Sequence, residues 1–137
     1  MKYEDLKQEL IQKFLDESPF IKLLEMTLVS LDTQAGMLTL KMPLTDKIER
    51  MAGSRQMHGG ALASLIDTAG CFALVMDQMT AVPTINFRVD YLRPAIGGAV
   101  LADAVVRRTG RTVGVVDVDV TAENGALLAL GRGVFGV

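Results

Sequence analysis

The segment His58-Gly59-Gly60-Ala61-Leu62-Ala63-Ser64-Leu65-Ile66-Asp67-Thr68-Ala69-Gly70-Cys71-Phe72-Ala73-Leu74-Val75-Met76, running on to about Met79, organises the rest of the chain. Its apolar residues fall on every side of a helix, and a helix apolar all round belongs inside a protein rather than on its surface. Asp67 is the one charged side chain between His58 and Asp77. Burying an ionised carboxylate is costly unless it is paired or hydrogen-bonded, so Asp67 needs a reason to be there.

Whatever surrounds this helix must come from the flanking sequence. Tyr3, Leu6, Leu10, Ile11, Phe14 and Leu15 form one stripe of a helix over residues 3–15, which Ser18-Pro19 ends. Leu24–Leu31 and Met37–Met42 alternate as strands, and Asp32 to Gly36 supplies hairpin turn chemistry. Residues 43–57 carry mixed charges without a period and read as a loop. Four further strands are expected at Thr84–Leu92, Ala99–Arg107, Thr112–Thr121 and Ala126–Phe135. The turns between them include Arg108-Thr-Gly-Arg111 and the Asn124-Gly125 hairpin signal. Asp117 and Asp119 alternate with valines and read as the wet face of a strand.

About six strands joined mostly by short turns make an antiparallel sheet, which must curl around the helix to bury it. The fold class is therefore α+β, with residues 1–137 forming one domain. One side of the helix stays out of reach of the sheet, and a second subunit is the natural cover.

Composition narrows the chemistry. A net charge of −2 gives no general attraction to nucleic acid or anionic lipid. The chain has one histidine and one cysteine, so a single subunit cannot assemble a His/Cys metal cage. The charged start Met1-Lys-Tyr-Glu-Asp5 lacks the apolar stretch of a secretory signal. The strongly apolar run Gly70–Met76 is far shorter than the roughly 20 residues that span a bilayer. No membrane partner is expected, and the cytoplasm is the default location.

Two features could carry a reaction. Asp67 is either a structural carboxylate, bonded to a backbone amide or to Ser64 or Thr68, or a general base or nucleophile in an apolar cleft. Gly59 and Gly60 weaken a helix start but allow close approach to its free amides, which suit an anion or a developing oxyanion. Gly59 and Asp67 are eight residues apart, about 12 Å along a helix. One small carbonyl group cannot touch both within one subunit. If they cooperate, Gly59 of one chain meets Asp67 of another across an antiparallel helix pair, and a two-fold dimer creates two such sites.

The run His58-Gly-Gly-Ala-Leu-Ala-Ser-Leu-Ile-Asp67 resembles the signature of the hotdog-fold acyl-CoA thioesterases, in particular the PaaI-like phenylacetate-pathway branch. The resemblance extends over nearly the whole chain. Ser18-Pro-Phe20 and the hairpin at Gly36 look like the family's opening, Thr84–Ala95 like its following strand, and Arg108–Val113 like its next turn. It implies a curved sheet around a central helix and hydrolysis of an acyl- or aryl-CoA thioester. It also implies Asp67 as general base or nucleophile, the Gly59 amide as oxyanion donor, His58 as holder of the helix start, and Thr84 as a hydroxyl that orients the carboxylate or water.

For the coenzyme, the resemblance points to Asn86, Tyr91 and the turn of Arg108, Thr109, Gly110, Arg111, Thr112 and Val113. The arginines would offer charge for phosphates, and the Gly110 turn backbone amides. The sequence departs from the family at Ala52, where relatives often carry Asn or Gln; Ser54, Arg55 and Gln56 are the nearby substitutes. The resemblance implies no metal or redox cofactor, since CoA arrives with the substrate. The Gly59–Asp67 spacing and the uncovered helix side predict a homodimer, with pairing into a homotetramer open. Two other readings keep the fold: a non-catalytic acyl-CoA-binding regulator, and an acyl dehydratase or hydratase.

Overall fold

The structure is a computed structural model and describes residues 3–137. Helix α1 (Tyr3–Glu17) is followed by a short α2 (Pro19–Leu23), whose N-cap Ser18 accepts the Ile21 N–H. Strands β1 (Thr27–Asp32) and β2 (Met37–Met42) form a hairpin, and α3 (Gly59–Gln78) is the long helix. Strands β3 (Thr84–Tyr91), β4 (Val100–Thr109), β5 (Val113–Ala122) and β6 (Leu127–Gly136) complete the chain. All strands join one antiparallel sheet in the order β1-β2-β4-β5-β6-β3.

The sheet packs on α3 through β2, β3, β4, β5 and β6. Alternate valines of β5 (Val116, Val118, Val120) and alanines of β4 (Ala102, Ala104) are buried against α3, while Asp117 and Asp119 point the other way. This is the hotdog architecture, a curved sheet around a central helix. By length and a mean hydropathy of 1.6, α3 itself passes for a membrane span. The sequence reading, which counted only the uninterrupted apolar run, underestimated it. The wrapping sheet accounts for that apolar surface, as in the core helix of a globular domain.

Several boundaries differ from expectation. The first strand begins at Thr27, not Leu24, because Leu24 caps α2 and Glu25 turns through a left-handed conformation (φ 56°). β4 runs on to Thr109, so the expected turn at Arg108 is strand with a register shift between Val106 and Arg108. Residues 43–57 are not featureless, since Asp46–Ile48 form a 3₁₀ turn and Glu49 pairs with Met57 and Gln56 with Ile96. On α1, Ile11 and Leu15 are buried but Leu6 is 44% exposed, and the Tyr3 side chain lies outside the described residues.

Candidate active site

The start of α3 is held by hydrogen bonds that use nearly every polar group of two successive peptide units. The His58 N–H donates to Ile48 O at 2.7 Å. The His58 carbonyl accepts from Ala61 N at 3.0 Å and Leu62 N at 3.4 Å. His58 is the N-cap, and its Nδ1 accepts the Gly60 N–H at 2.8 Å. The Gly59 carbonyl accepts the Tyr91 hydroxyl at 2.7 Å. Among the described residues, the Gly59 N–H donates to nothing. It is the group the entry into the helix leaves over, at the positive end of a 20-residue dipole.

A side chain at Gly59 would crowd that arrangement. A Cβ there would lie 3.3 Å from Tyr91 Cζ, tighter than ordinary van der Waals contact. Glycine thus lets the tyrosine ring approach without being pushed aside by a few tenths of an ångström.

Two turns along the helix, Asp67 Oδ1 accepts the Thr84 hydroxyl at 2.6 Å. Neither Ser64 nor Thr68 is its partner; the Ser64 hydroxyl instead donates to Gly60 O. Thr84 reaches inward because β3 is bulged. Thr84 is opposite Phe135, whose side chain is buried against the helix, while Asn86 is opposite Val134, with Ile85 as the extra residue.

One turn further, the Cys71 thiol donates to Val82 O at 3.3 Å. Burial, then the nearby Asp67 charge, push its pKa up to about 11 against a smaller opposing effect of the Val82 bond. A thiol held so far toward its protonated form is a poor nucleophile near neutrality. Ala63, Ser64, Asp67, Thr68 and Cys71 together form the half-buried stripe of α3, whereas Leu62, Leu65, Ile66 and Ala69 are buried. The sheet therefore leaves one helix face open, and Asp67 is on it.

The other residues expected in the site divide. A cavity of about 610 Å³ opens beside Gly59, lined by Gln56, Met57, Leu62, Tyr91, Arg50 and Arg93 among others. Gln56 is the candidate substitute for Ala52 that faces this cavity. The Ser54 hydroxyl is spent on the Met51 and Gln56 amides, and Arg55 is exposed on a left-handed backbone (φ 56°). Asn86 and Tyr91 are not brought together. Tyr91 lies beside Gly59, while Asn86 lines a groove of about 540 Å³ on the outer face with Arg88, Asp117 and Arg132.

The Arg108–Val113 turn sits at the Thr84 end of the sheet, since Val113 pairs with Gly136 and the Gly136 N–H bonds Pro83 O. Arg108, Thr109, Arg111, Thr112 and Val113 are exposed there. The Gly110 N–H is not available to a ligand as expected, because it donates to Val113 O at 2.8 Å to close the hairpin. The sequence held no sign of the Tyr91–Gly59 contact, and regular alternation along Thr84-Ile-Asn-Phe87 hid the bulge.

Residues 56–129, more than half of the chain and spanning Gly59, Asp67 and Thr84, match the family pattern of the Thioesterase superfamily. The chain belongs to the thioesterase superfamily. It is a thioester hydrolase by that membership. The thioesterase is 36% identical over 139 residues to a candidate esterase of Halobacterium salinarum, covering 93% of this chain and 90% of that one. It is 33% identical over 113 residues to the acyl-coenzyme A thioesterase PaaI of Escherichia coli, covering 82% and 77% respectively. The solved structure of Escherichia coli PaaI, from the phenylacetic acid degradation operon, superposes with a TM-score of 0.86 at 27% identity, covering 98% of this thioesterase and 95% of that chain.

Proposed function

We propose that the protein hydrolyses an acyl- or aryl-CoA thioester at a site shared by two chains, releasing CoA and a carboxylic acid. Asp67 of one protomer supplies the carboxylate and the Gly59 N–H of its partner polarises the thioester carbonyl. The observation that carries this reading is the half-buried stripe of α3, which puts Asp67 on the one helix face the sheet leaves open. Asp67 and Gly59 lie on one continuous helix, about 12 Å apart at 1.5 Å per residue. A two-fold axis beside that stripe joins the two groups in pairs. The edge strand β3, with Ile85 59% exposed, extends the same surface for a second copy.

Thr84 fixes one carboxylate oxygen of Asp67, and no donor among the described residues holds Oδ2. Oδ2 either attacks the carbonyl carbon, giving an anhydride that water then opens, or takes a proton from an attacking water. In both routes negative charge grows on the carbonyl oxygen, and a fixed amide there is worth roughly 10²–10³ in rate. CoA leaves as the thiol, and no metal or redox cofactor enters. The cytoplasmic location, the homodimer and its pairing into tetramers belong to the same reading. CoA would be held at the exposed Arg108–Val113 turn, where Arg108 and Arg111 suit its phosphates.

Mixed dimers test the shared site. Asp67→Asn removes the carboxylate's charge. Gly59→Pro removes the N–H at a first helical position where proline fits the backbone, at the cost of a close contact with the Tyr91 ring. Each variant alone should release almost no free thiol from a panel of CoA thioesters. Refolded together in equal amounts they should regain about a quarter of wild-type sites, because half the dimers carry one intact Gly59–Asp67 pair. No recovery, with heterodimers demonstrated by sizing of a tagged chain, would place both groups in one subunit and overturn the reading. Wild-type protein that binds CoA thioesters tightly and releases no thiol would favour the acyl-CoA-binding regulator.

A further inference from the structure

We infer that Tyr91 is a positioning residue for the oxyanion donor, acting through the Gly59–Gly60 peptide. This inference rests on Gly59 serving as that donor. The Gly59–Gly60 peptide is clamped at both ends, its carbonyl by the Tyr91 hydroxyl at 2.7 Å and its N–H by His58 Nδ1 at 2.8 Å. The preceding His58–Gly59 peptide is fixed through its carbonyl by Ala61 N and Leu62 N. With a peptide plane pinned on either side, the two backbone dihedrals at Gly59 are set, and so is the direction of its N–H. Glycine would otherwise be the residue freest to rotate there.

The ring adds a second restraint. Tyr91 Cζ, Cε1 and Oη lie 3.3–3.4 Å from the position a Gly59 Cβ would occupy, so the ring closes the space into which the helix start could swing. The tyrosine comes from the far end of β3, opposite Ala129 of β6, and so ties the helix entry to the rigid sheet. A donor aimed in advance at the developing oxyanion stabilises the transition state more than the bound substrate, so its misdirection lowers kcat before it changes KM.

Initial rates of thiol release by Tyr91→Phe, which keeps the ring and deletes the hydroxyl, test this. The expected result is a kcat about tenfold lower with KM within twofold of wild type. His58→Ala should act similarly, and the double variant should lose much less than the product of the two, because both bonds hold one peptide. An unchanged kcat, a rise confined to KM, or full additivity would overturn the inference. If Tyr91→Phe does not fold, amide hydrogen exchange in the wild-type protein decides. Gly60 should exchange slowly and Gly59 fast; equal protection of both overturns the proposal. Asp67→Asn run alongside separates the failures. If it abolishes turnover while Tyr91→Phe is silent, the hydrolase reading stands and only the role of Tyr91 falls.

Discussion

Thr84 and Asp67 meet at 2.6 Å across the gap between the edge strand and the central helix, and a bulge at Ile85 aims the hydroxyl there. A hydroxyl donating to a charged acceptor is worth roughly 1.5–3 kcal/mol when the geometry is kept. Thr84→Val should therefore lower kcat about tenfold, while Thr84→Ser, which keeps the donor, stays within about threefold of wild type. Initial-rate thiol release together with melting curves checks this. Full activity in Thr84→Val would make the bond structural.

The crowding at Gly59 separates two substitutions that look alike. Gly59→Ala retains the N–H but must push the Tyr91 ring aside by a few tenths of an ångström. Gly59→Pro meets the same ring and also lacks the N–H; His58, at φ −61° and ψ 136°, already has the conformation that a following proline demands. Alanine should cost kcat less than proline, which should lose roughly 10²–10³. Equal losses would assign the effect to the ring contact rather than to the donor.

Cys71 should resist alkylation. Its thiol is pushed up to about 11, so at pH 8 its thiolate population is roughly 10²-fold below that of a free cysteine. Iodoacetamide labelling followed by mass spectrometry should show slow reaction in the folded protein and fast reaction in denaturant. Because the folded pKa lies above the unfolded one, the associated stability is present below about pH 9 and is lost as pH rises toward 11. Rapid labelling at pH 8 would contradict the burial of this thiol.

On the outer face, Asp117 accepts two bonds from Arg132, at 2.6 and 2.9 Å, and faces Arg107 at 3.3 Å. The Arg132 hydrogen bonds hold its carboxyl below the usual range; burial opposes them, and the charges of Arg132 and then Arg107 add to the lowering. The stabilisation is present above the unfolded carboxylate pKa and lost as pH falls through the lower folded value. Asp117→Asn should lower stability by about 1 kcal/mol or less at pH 7, since the side chains are partly exposed. Its melting temperature should converge on wild type in acid. A difference that persists undiminished there would assign the effect to packing.

Gly131 has no room for a methyl group. A Cβ would come within 2.7 Å of the Arg88 carbonyl and 2.8 Å of Ile66 Cγ2, the residue beside Asp67. The backbone carbonyl cannot yield without parting β3 from β6. Gly131→Ala should destabilise by about 1–3 kcal/mol in urea denaturation. A midpoint equal to wild type would show that the helix-to-sheet spacing is softer than this contact implies.

What the sequence disclosed follows from periodicity. The all-round apolar helix and the alternating strands are patterns of single side chains, so the sheet, its central helix and an uncovered helix side were legible. That Asp67 lies on that side was not. The contacts that arm the site have no such pattern; the family resemblance alone pointed to Thr84 beside Asp67. Tyr91 reaches Gly59 from 32 residues away, and no local pattern encodes such a distance. Thr84 faces inward through a bulge, which an alternation argument treats as absent. Asn86 and Tyr91 were grouped by resemblance, although five residues of strand put them on opposite faces. The amide of Gly110 was expected to be free because the turn was read without its closing bond.

Strands count in twos, and the extra residue of β3 makes its reading frame odd at one place. Deleting the codon for Ile85 would not merely shorten a loop. It would restore regular alternation with Thr84 still opposite Phe135 and Asn86 still opposite Val134, so both side chains would keep their faces. The same one-codon loss in the hairpin at Asn124-Gly125 would leave every functional side chain on its own face. Within β3 the chain thus absorbs the loss of a single residue where it already carries one too many, at a side chain that takes no part in the reaction.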